Sequence, residues 1–305
     1  MVKTTILPET QRTPGARDSE LALELSHRLP RIALEARRVS AFVNGVHGRR
    51  KAGPGETFWQ YRMLMPGEAA GGVDWRRSAR DNRLYVRERE WEASHTIWMW
   101  ADRSASMGFA SSLAQTSKVD RALVLQLALA DAMVDGGERV GLLGLSRPIA
   151  SRRVVERLVE FIAQDRAGLS ADLPPARPIG RLDEAVLISD WLTPLDRVMA
   201  ALGAIGAAGG RGHLVMIIDP VEETFPFAGQ AELLDVESEL RLDVGDAGAW
   251  GKEYRTRIAA HREAISSACR KLGWTFTIHH TDRNASEAAL RVASLISSAR
   301  DMRAA

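Results

Sequence analysis

The feature that most constrains the fold is a series of short apolar runs separated by segments with helical periodicity. Four runs are nearly continuous, at residues 95–101, 139–145, 185–188 and 213–218, and a weaker fifth covers residues 274–278. Strands that are apolar on both sides are typical of parallel sheets, because helices cover both faces of such a sheet. The alternation therefore predicts a doubly wound α/β domain, Rossmann-like, with a mostly parallel sheet.

The segments between these runs carry the start and stop signals of helices. Residues 118–135 have helical periodicity and end at Gly136-Gly137, a pair typical of a helix C-terminus. Thr193-Pro194 is typical of an N-cap followed by proline at the first helical position, and residues 284–287 resemble a capping box. We therefore expect helices to alternate with the strands along the chain.

The residues before the first run follow a different pattern. Helix-forming residues dominate from 18 to 43, and Pro30 is expected either to divide this stretch into two helices or to kink it. Residues 58–62 and 83–87 have the aromatic content and alternation of strands. The predicted organisation is an N-terminal tail, helices and small β-rich extension over residues 1–94, followed by the α/β domain over residues 95–305.

The composition argues against several classes of protein. Of 305 residues, 45% are apolar and 26% charged, and a net charge of +2 gives no reason to expect a nucleic-acid partner. The N-terminus lacks the apolar core of a signal peptide and no long apolar stretch occurs, so we expect a soluble, cytoplasmic chain without a membrane span. The single cysteine, Cys269, excludes an intramolecular disulfide and is interpreted as a small buried hydrophobic residue.

Acidic side chains follow two of the predicted strands, at the carboxyl ends where doubly wound sheets bind their ligands. Asp102 follows the first run, and Asp190 follows the third. Asp102 also begins an Asp-x-Ser-x-Ser pattern with Ser104 and Ser106, and alternate residues of such a loop tend to point the same way. One carboxylate and two hydroxyls are hard ligands of low charge, which suits Mg²⁺. The alternative is that one serine caps the next helix.

This pattern resembles a known metal site. Residues 102–107, Asp-Arg-Ser-Ala-Ser-Met, are similar to the metal-ion-dependent adhesion site of von Willebrand factor A domains. Four further segments resemble an uncharacterised bacterial family, domain of unknown function fifty-eight: Pro66-Gly67-Glu68, residues 73–80, residues 84–88 and residues 219–229. The resemblance extends over most of the chain, and it implies a von Willebrand factor A-like fold for the α/β domain.

The resemblance also implies a set of metal ligands. Asp102, Ser104 and Ser106 would hold a divalent ion directly, and Asp190 and Ser170 would bind it directly or through water. The ion would be Mg²⁺, Mn²⁺ or another divalent cation.

Two departures from the family pattern bear on this site. Adhesion sites normally take a threonine from a second loop, but residues 168–173 contain none; Ser170 is the closest substitute, with Asp172 as the alternative. The third-loop aspartate is often followed by glycine, whereas Asp190 is followed by Trp191. Both departures predict an altered or weakened ion site.

The resemblance further implies a partner. Members of this family are associated with MoxR-type AAA+ ATPases, and such pairs are thought to assemble or activate other protein complexes. The most distinctive family segment contains Asp74, Trp75 and Arg80. Asp74 and Arg80 would either form a structural ion pair or line a partner-binding site.

Three functional hypotheses follow. The first is a metal-dependent protein–protein interaction module, not an enzyme, in which an acidic side chain of the partner completes the coordination of the ion. The second is a metal-dependent hydrolase that uses the same carboxylates to activate water, although the sequence shows no evident nucleophile or general base. The third is a degenerate scaffold that binds no metal.

Overall fold

The computed structural model describes residues 16–47, 58–65, 73–80, 83–89, 95–234 and 241–304. The family segment Pro66-Gly67-Glu68 lies outside these residues. In chain order the elements are α1 (Ala16–His47), β1 (Phe58–Met63), α2 (Trp75–Ser78), β2 (Tyr85–Arg89), β3 (Thr96–Ala101), α3 (Lys118–Asp135), β4 (Arg139–Leu142), α4 (Val154–Gln164), β5 (Glu184–Ser189), α5 (Leu195–Gly206), β6 (Arg211–Ile218), α6 (Pro220–Thr224), β7 (Ala231–Leu234), β8 (Arg241–Val244), α7 (Ala247–Lys271), β9 (Thr275–His280) and α8 (Ala285–Ala304).

Five strands form one parallel sheet in the order β4-β3-β5-β6-β9. Alternate side chains of β3 enter different cores, with Ile97 and Met99 on one face and Trp98 and Trp100 on the other. Both faces are buried because helices cover them, which explains why the strands are apolar at nearly every position. The predicted doubly wound α/β fold is confirmed.

The helices divide between the two faces. α3, α4 and α8 pack with the core that contains Ile97, and α5 and α7 supply side chains to the core that contains Trp98. Cys269 of α7 is fully buried in the second core, where burial raises the pKa of its thiol to about 12. Its predicted role as a buried hydrophobic residue is confirmed. No helix in the described part of the chain is long and apolar enough to span a membrane.

Of the two alternatives that the sequence left open at Pro30, the structure excludes a division into two helices. α1 is continuous over 32 residues, and Pro30 lies inside it without ending it. Leu25, Leu29 and Ile32 form a buried stripe along this helix, which packs against α3 and α8. The sequence grouped α1 with the β-rich extension, but the stripe makes α1 part of the α/β unit. The chain accordingly divides into two compact units, residues 1–49 with 95–305, and residues 50–94.

The smaller unit contains an antiparallel pair, β1 and β2, together with the single-turn helix α2. Asp74 is the N-cap of α2: its Oδ1 accepts the Arg77 backbone N–H at 3.0 Å, and its Oδ2 accepts the Tyr61 hydroxyl at 3.2 Å. Trp75 is 63% exposed, and Arg80 is also exposed. Asp74 thus has a structural role within this unit, whereas Trp75 offers an aromatic surface.

Candidate functional site

Asp102 is held rigidly at the carboxyl end of β3. Its backbone N–H donates to the carbonyl of Ile188 on β5 at 2.8 Å. Its Oδ1 accepts the backbone N–H of Ser104 at 2.8 Å, and its Oδ2 accepts the hydroxyl of Ser189 at 2.7 Å. The side chain is 1% exposed. These bonds fix the carboxylate between two adjacent strands, where the fold predicts a ligand.

The two serines of the motif lie beside this carboxylate. Ser104 precedes a single 3-10 turn, Ala105–Gly108, but its side chain makes no capping hydrogen bond there. Its hydroxyl lies 3.1 Å from the hydroxyl of Ser106 instead. The next helix, α3, is capped by Ser117, whose side chain accepts the N–H of Asp120. The Ser104 and Ser106 hydroxyls therefore bond to each other and do not cap α3, contrary to the helix-capping alternative.

A lysine that sequence reasoning missed lies at the same edge of the sheet. The Nζ of Lys118, the first residue of α3, is 2.8 Å from Asp190 Oδ2 and 2.5 Å from Glu222 Oε1. Lys118 is 1% exposed. A cation at a helix N-terminus opposes the helix dipole, so a lysine at the first position of α3 signals an acidic partner. Glu222 carried a weaker signal, the Asp219-Pro220-x-Glu222 capping box.

The electrostatics of this cluster follow from burial and proximity. Burial, followed by the nearby charge of Asp190, raises the pKa of Asp102 to about 7, although the hydrogen bonds it accepts act in the opposite direction. Burial opposes the charge of Lys118, but Asp190 and Glu222 together outweigh it and raise the lysine pKa. The ammonium is therefore a permanent charge of the site at neutral pH.

A pH dependence of stability follows from Asp102. Its pKa is about 7 in the folded chain against an ordinary 3.8, so the contribution of this group to stability is present at low pH and is lost as pH rises from about 4 to about 7. We expect Asp102→Asn to lack this loss. The variant should therefore gain on the order of 2–4 kcal/mol over the wild type between pH 4 and pH 8. Urea unfolding of both proteins in EDTA across this range measures the difference, and a difference independent of pH would contradict the prediction.

The second loop of the predicted site, residues 168–173, makes contacts of its own. Ser170 is exposed, and its hydroxyl donates to the carbonyl of Ala167 at 3.2 Å, within its own turn. Asp172 accepts the hydroxyl of Thr193 at 3.2 Å and forms an ion pair with Arg197 of α5 at 3.0 Å. The structure therefore brings Asp102, Ser104, Ser106 and Asp190 to one edge, whereas the contacts of Ser170 and Asp172 are within their own turn and with Thr193 and Arg197.

Arg103 connects the two loops, and the sequence carried no signal for it. Its Nη1 donates to the carbonyls of Ile162 and Asp165 at 3.1 and 3.2 Å, and its Nη2 forms an ion pair with the Asp165 carboxylate. A Cβ at Gly168 would lie 1.8 Å from Arg103 Nη2, so only glycine leaves room for this guanidinium. Arg103 thereby fixes the loop that carries Ser104 against the end of α4.

The residue after Asp190 explains one departure from the family pattern. Trp191 has a φ of 53°, in the left-handed region where glycine is usually found. Its ring is fully buried, 6.0 Å from that of Trp100, and its Nε1 donates to the carbonyl of Val215 at 3.1 Å. Packing therefore holds a bulky residue in a backbone conformation that glycine would adopt freely.

The donor set at Asp102 fits a small divalent ion in part. The carboxylate and the hydroxyls of Ser104 and Ser106 are hard oxygen ligands close together. Asp190, the fourth predicted ligand, directs one oxygen to the Lys118 ammonium. The described residues contain no group of three or more His, Cys, Asp or Glu placed to hold a metal. An ion at this edge would therefore depend on one carboxylate and two hydroxyls.

The structure places an Asp-x-Ser-x-Ser loop at the carboxyl end of an inner strand of a doubly wound parallel sheet, as the resemblance to von Willebrand factor A domains implied. The chain belongs to the family described as "Protein of unknown function DUF58", whose model matches residues 60–264. The family recognised from the sequence is confirmed.

Other comparisons found mycobacterial proteins described as uncharacterized and, among solved structures, two distant matches. The chain is 28% identical over 263 residues to the uncharacterized protein Rv1480 of Mycobacterium tuberculosis, and equally to Mb1516 of Mycobacterium bovis, with 81% of each chain covered. An aerotolerance-related membrane protein of Bacteroides fragilis is 14% identical with a TM-score of 0.40, covering 67% of this chain and 100% of that one. BatB of Bacteroides thetaiotaomicron is 13% identical with a TM-score of 0.39, covering 67% and 98%.

Proposed function

We propose that this chain is a protein–protein interaction module that holds a divalent ion at Asp102, Ser104 and Ser106 and acts by binding a partner. The partner that the family resemblance suggests is a MoxR-type AAA+ ATPase, with which the chain would assemble or activate a client complex. The cytoplasm is the expected location, and nucleic acid is not an expected ligand.

The observation that carries this proposal is the preorganised group of oxygens at the end of β3. Asp102 is held by the Ser104 N–H and the Ser189 hydroxyl, so the orientation of its carboxylate is fixed before an ion binds. The Ser104 and Ser106 hydroxyls already face each other at 3.1 Å. An ion held by so few protein ligands keeps open coordination positions, which a carboxylate of a partner can fill.

The same geometry favours binding over catalysis. Asp102 is 1% exposed and already accepts hydrogen bonds on both oxygens, which leaves it poorly placed to take a proton from water. None of the hydrogen bonds seen in the described residues joins the hydroxyl of Ser104 or Ser106 to a histidine, the base that most often activates a serine nucleophile. A hydrolase is therefore the weaker alternative.

Unfolding with and without a divalent ion tests the proposal. Mg²⁺ or Mn²⁺ at a hundred times its Kd should stabilise the wild type by about 2.7 kcal/mol. Asp102→Asn should abolish this gain. The matched control is Asp183→Asn, the same change just before β5 at the opposite end of the sheet, where Asp183 accepts the Trp98 Nε1–H at 3.2 Å. This control should keep the full response to metal.

The same proteins then serve in a binding measurement. A purified MoxR-type ATPase encoded beside this chain should bind the wild type and Asp183→Asn more tightly in Mg²⁺ than in EDTA, and should lose this difference with Asp102→Asn. A well-folded wild type that shows neither stabilisation nor metal-dependent binding would refute the ion-bridged mode and favour the metal-free scaffold.

A further inference from the structure

We infer that Lys118 is a fixed cation of this site, which pairs with Asp190 and Glu222. It confines a divalent ion to Asp102, Ser104 and Ser106. It also makes the charge of the ion-loaded site compatible with an acidic ligand. The inference rests on the proposed ion site, but it does not depend on the identity of the partner.

The position of the ammonium is fixed from several sides. Lys118 Nζ contacts Asp190 Oδ2 at 2.8 Å and Glu222 Oε1 at 2.5 Å, and it lies 5.8 Å from the centre of the Phe109 ring. The Lys118 backbone N–H donates to the Phe109 carbonyl at 3.2 Å, and the side chain is 1% exposed. The ammonium is therefore an integral part of the site and not a surface charge that samples it.

Both carboxylates are arranged to receive this ammonium. Asp190 uses Oδ1 to accept the Leu192 N–H at 3.2 Å, which leaves Oδ2 for the lysine. Glu222 uses Oε2 to accept the Asp219 N–H at 2.9 Å, which leaves Oε1. Each carboxylate thus gives one oxygen to the backbone and the other to Lys118.

Asp102 differs from these two carboxylates in the charge of its partners. Its hydrogen-bond donors, Ser104 N–H and the Ser189 hydroxyl, are neutral. A divalent ion bound to Asp190 would instead lie beside an ammonium held by the same carboxylate, and two positive charges at that separation repel strongly in a buried site. The ion is therefore confined to the Asp102 side of the cluster.

The charge balance gives Lys118 a role in recognition. With all three carboxylates ionised, as coordination of an ion by Asp102 requires, Asp102, Asp190 and Glu222 with Lys118 carry a formal net charge of two negatives, which a divalent ion would neutralise. Without the ammonium, the loaded site would keep one negative charge and oppose a carboxylate from a partner. Lys118 therefore makes the loaded site compatible with an acidic ligand while it weakens the hold on the ion itself.

The test is the affinity for Mn²⁺ alone, measured by calorimetry and by the paramagnetic signal of free Mn²⁺. Lys118→Met removes the ammonium and frees two carboxylates, so we expect binding at least ten-fold tighter than in the wild type. The control is Lys271→Met, the same change at the exposed end of α7, which should match the wild type. A folded Lys118→Met chain that binds Mn²⁺ no better than the wild type would overturn the inference.

The remaining outcomes are also decisive. If Lys118→Met binds Mn²⁺ and the wild type does not, the role of Lys118 stands while the ion part of the proposed function fails. If neither binds, both fail. If Lys118→Met does not fold without metal, Lys118→Met with Glu222→Gln restores the formal charge of the wild-type cluster and still frees Asp190. This double variant should bind Mn²⁺ more tightly than the wild type, and equal or weaker binding would overturn the inference.

Discussion

Trp191→Ala should lower the free energy of unfolding by about 3–5 kcal/mol, the range for a large buried aromatic residue. Trp191 is fully buried, and its Nε1 donates to the carbonyl of Val215 at 3.1 Å. Alanine removes this packing and leaves the Val215 carbonyl without that donor. Urea unfolding in EDTA measures the loss.

Trp191→Gly should be more stable than Trp191→Ala by about 1 kcal/mol, because alanine in the left-handed region is strained and glycine is not. The φ of Trp191 is 53°. The matched pair is Trp250→Ala and Trp250→Gly, since Trp250 is 44% exposed in α7. There the order should reverse, because glycine weakens a helix relative to alanine. The same order at both positions would show that the backbone at residue 191 relaxes.

Lys118→Met should lower the free energy of unfolding by about 3–5 kcal/mol, because it leaves buried carboxylates without their cation. Lys118 is 1% exposed between Asp190 and Glu222. Lys271→Met, at an exposed position, should change stability by no more than about 0.5 kcal/mol. Urea unfolding in EDTA measures both.

Adding Glu222→Gln should separate the buried charge from lost packing. In the wild type, Glu222→Gln removes one of the two carboxylates that pair with the Lys118 ammonium and should lower the free energy of unfolding. In Lys118→Met the same change removes an unpaired buried carboxylate and should recover stability. The two effects form a double-mutant cycle with a large coupling energy. If Glu222→Gln had the same effect in both backgrounds, Lys118 and Glu222 would be energetically independent and this account of the cluster would be wrong.

The sequence predicted the sheet because fully buried parallel strands are visible as apolar runs. It did not predict which helices share a face. The stripe of Leu25, Leu29 and Ile32 marks α1 as amphipathic, but nothing in the local pattern says that α3 and α8 receive it. Pro30 shows the same limit, because tertiary packing keeps α1 continuous through a residue that disfavours helix interiors.

The candidate site likewise contains residues that the sequence predicts and residues that it does not. Asp102, Ser104, Ser106 and Asp190 could be located because each follows a strand, and strands of a parallel sheet end at one edge. Lys118 could not be paired with Asp190 and Glu222 from the sequence, since 72 and 104 residues separate them. Arg103 presents the same difficulty, because its partners lie at the end of α4. Contacts between loops depend on the register of the whole sheet.

The division of the chain has a mechanical consequence for the family-specific segment. Residues 50–94 leave the α/β unit after α1 and return to it at His95, so this unit is an insertion with two covalent attachments and not a terminal appendage. One attachment leads directly into β3, whose other end is Asp102. A force on the insertion would therefore enter the α/β unit at α1 and at β3.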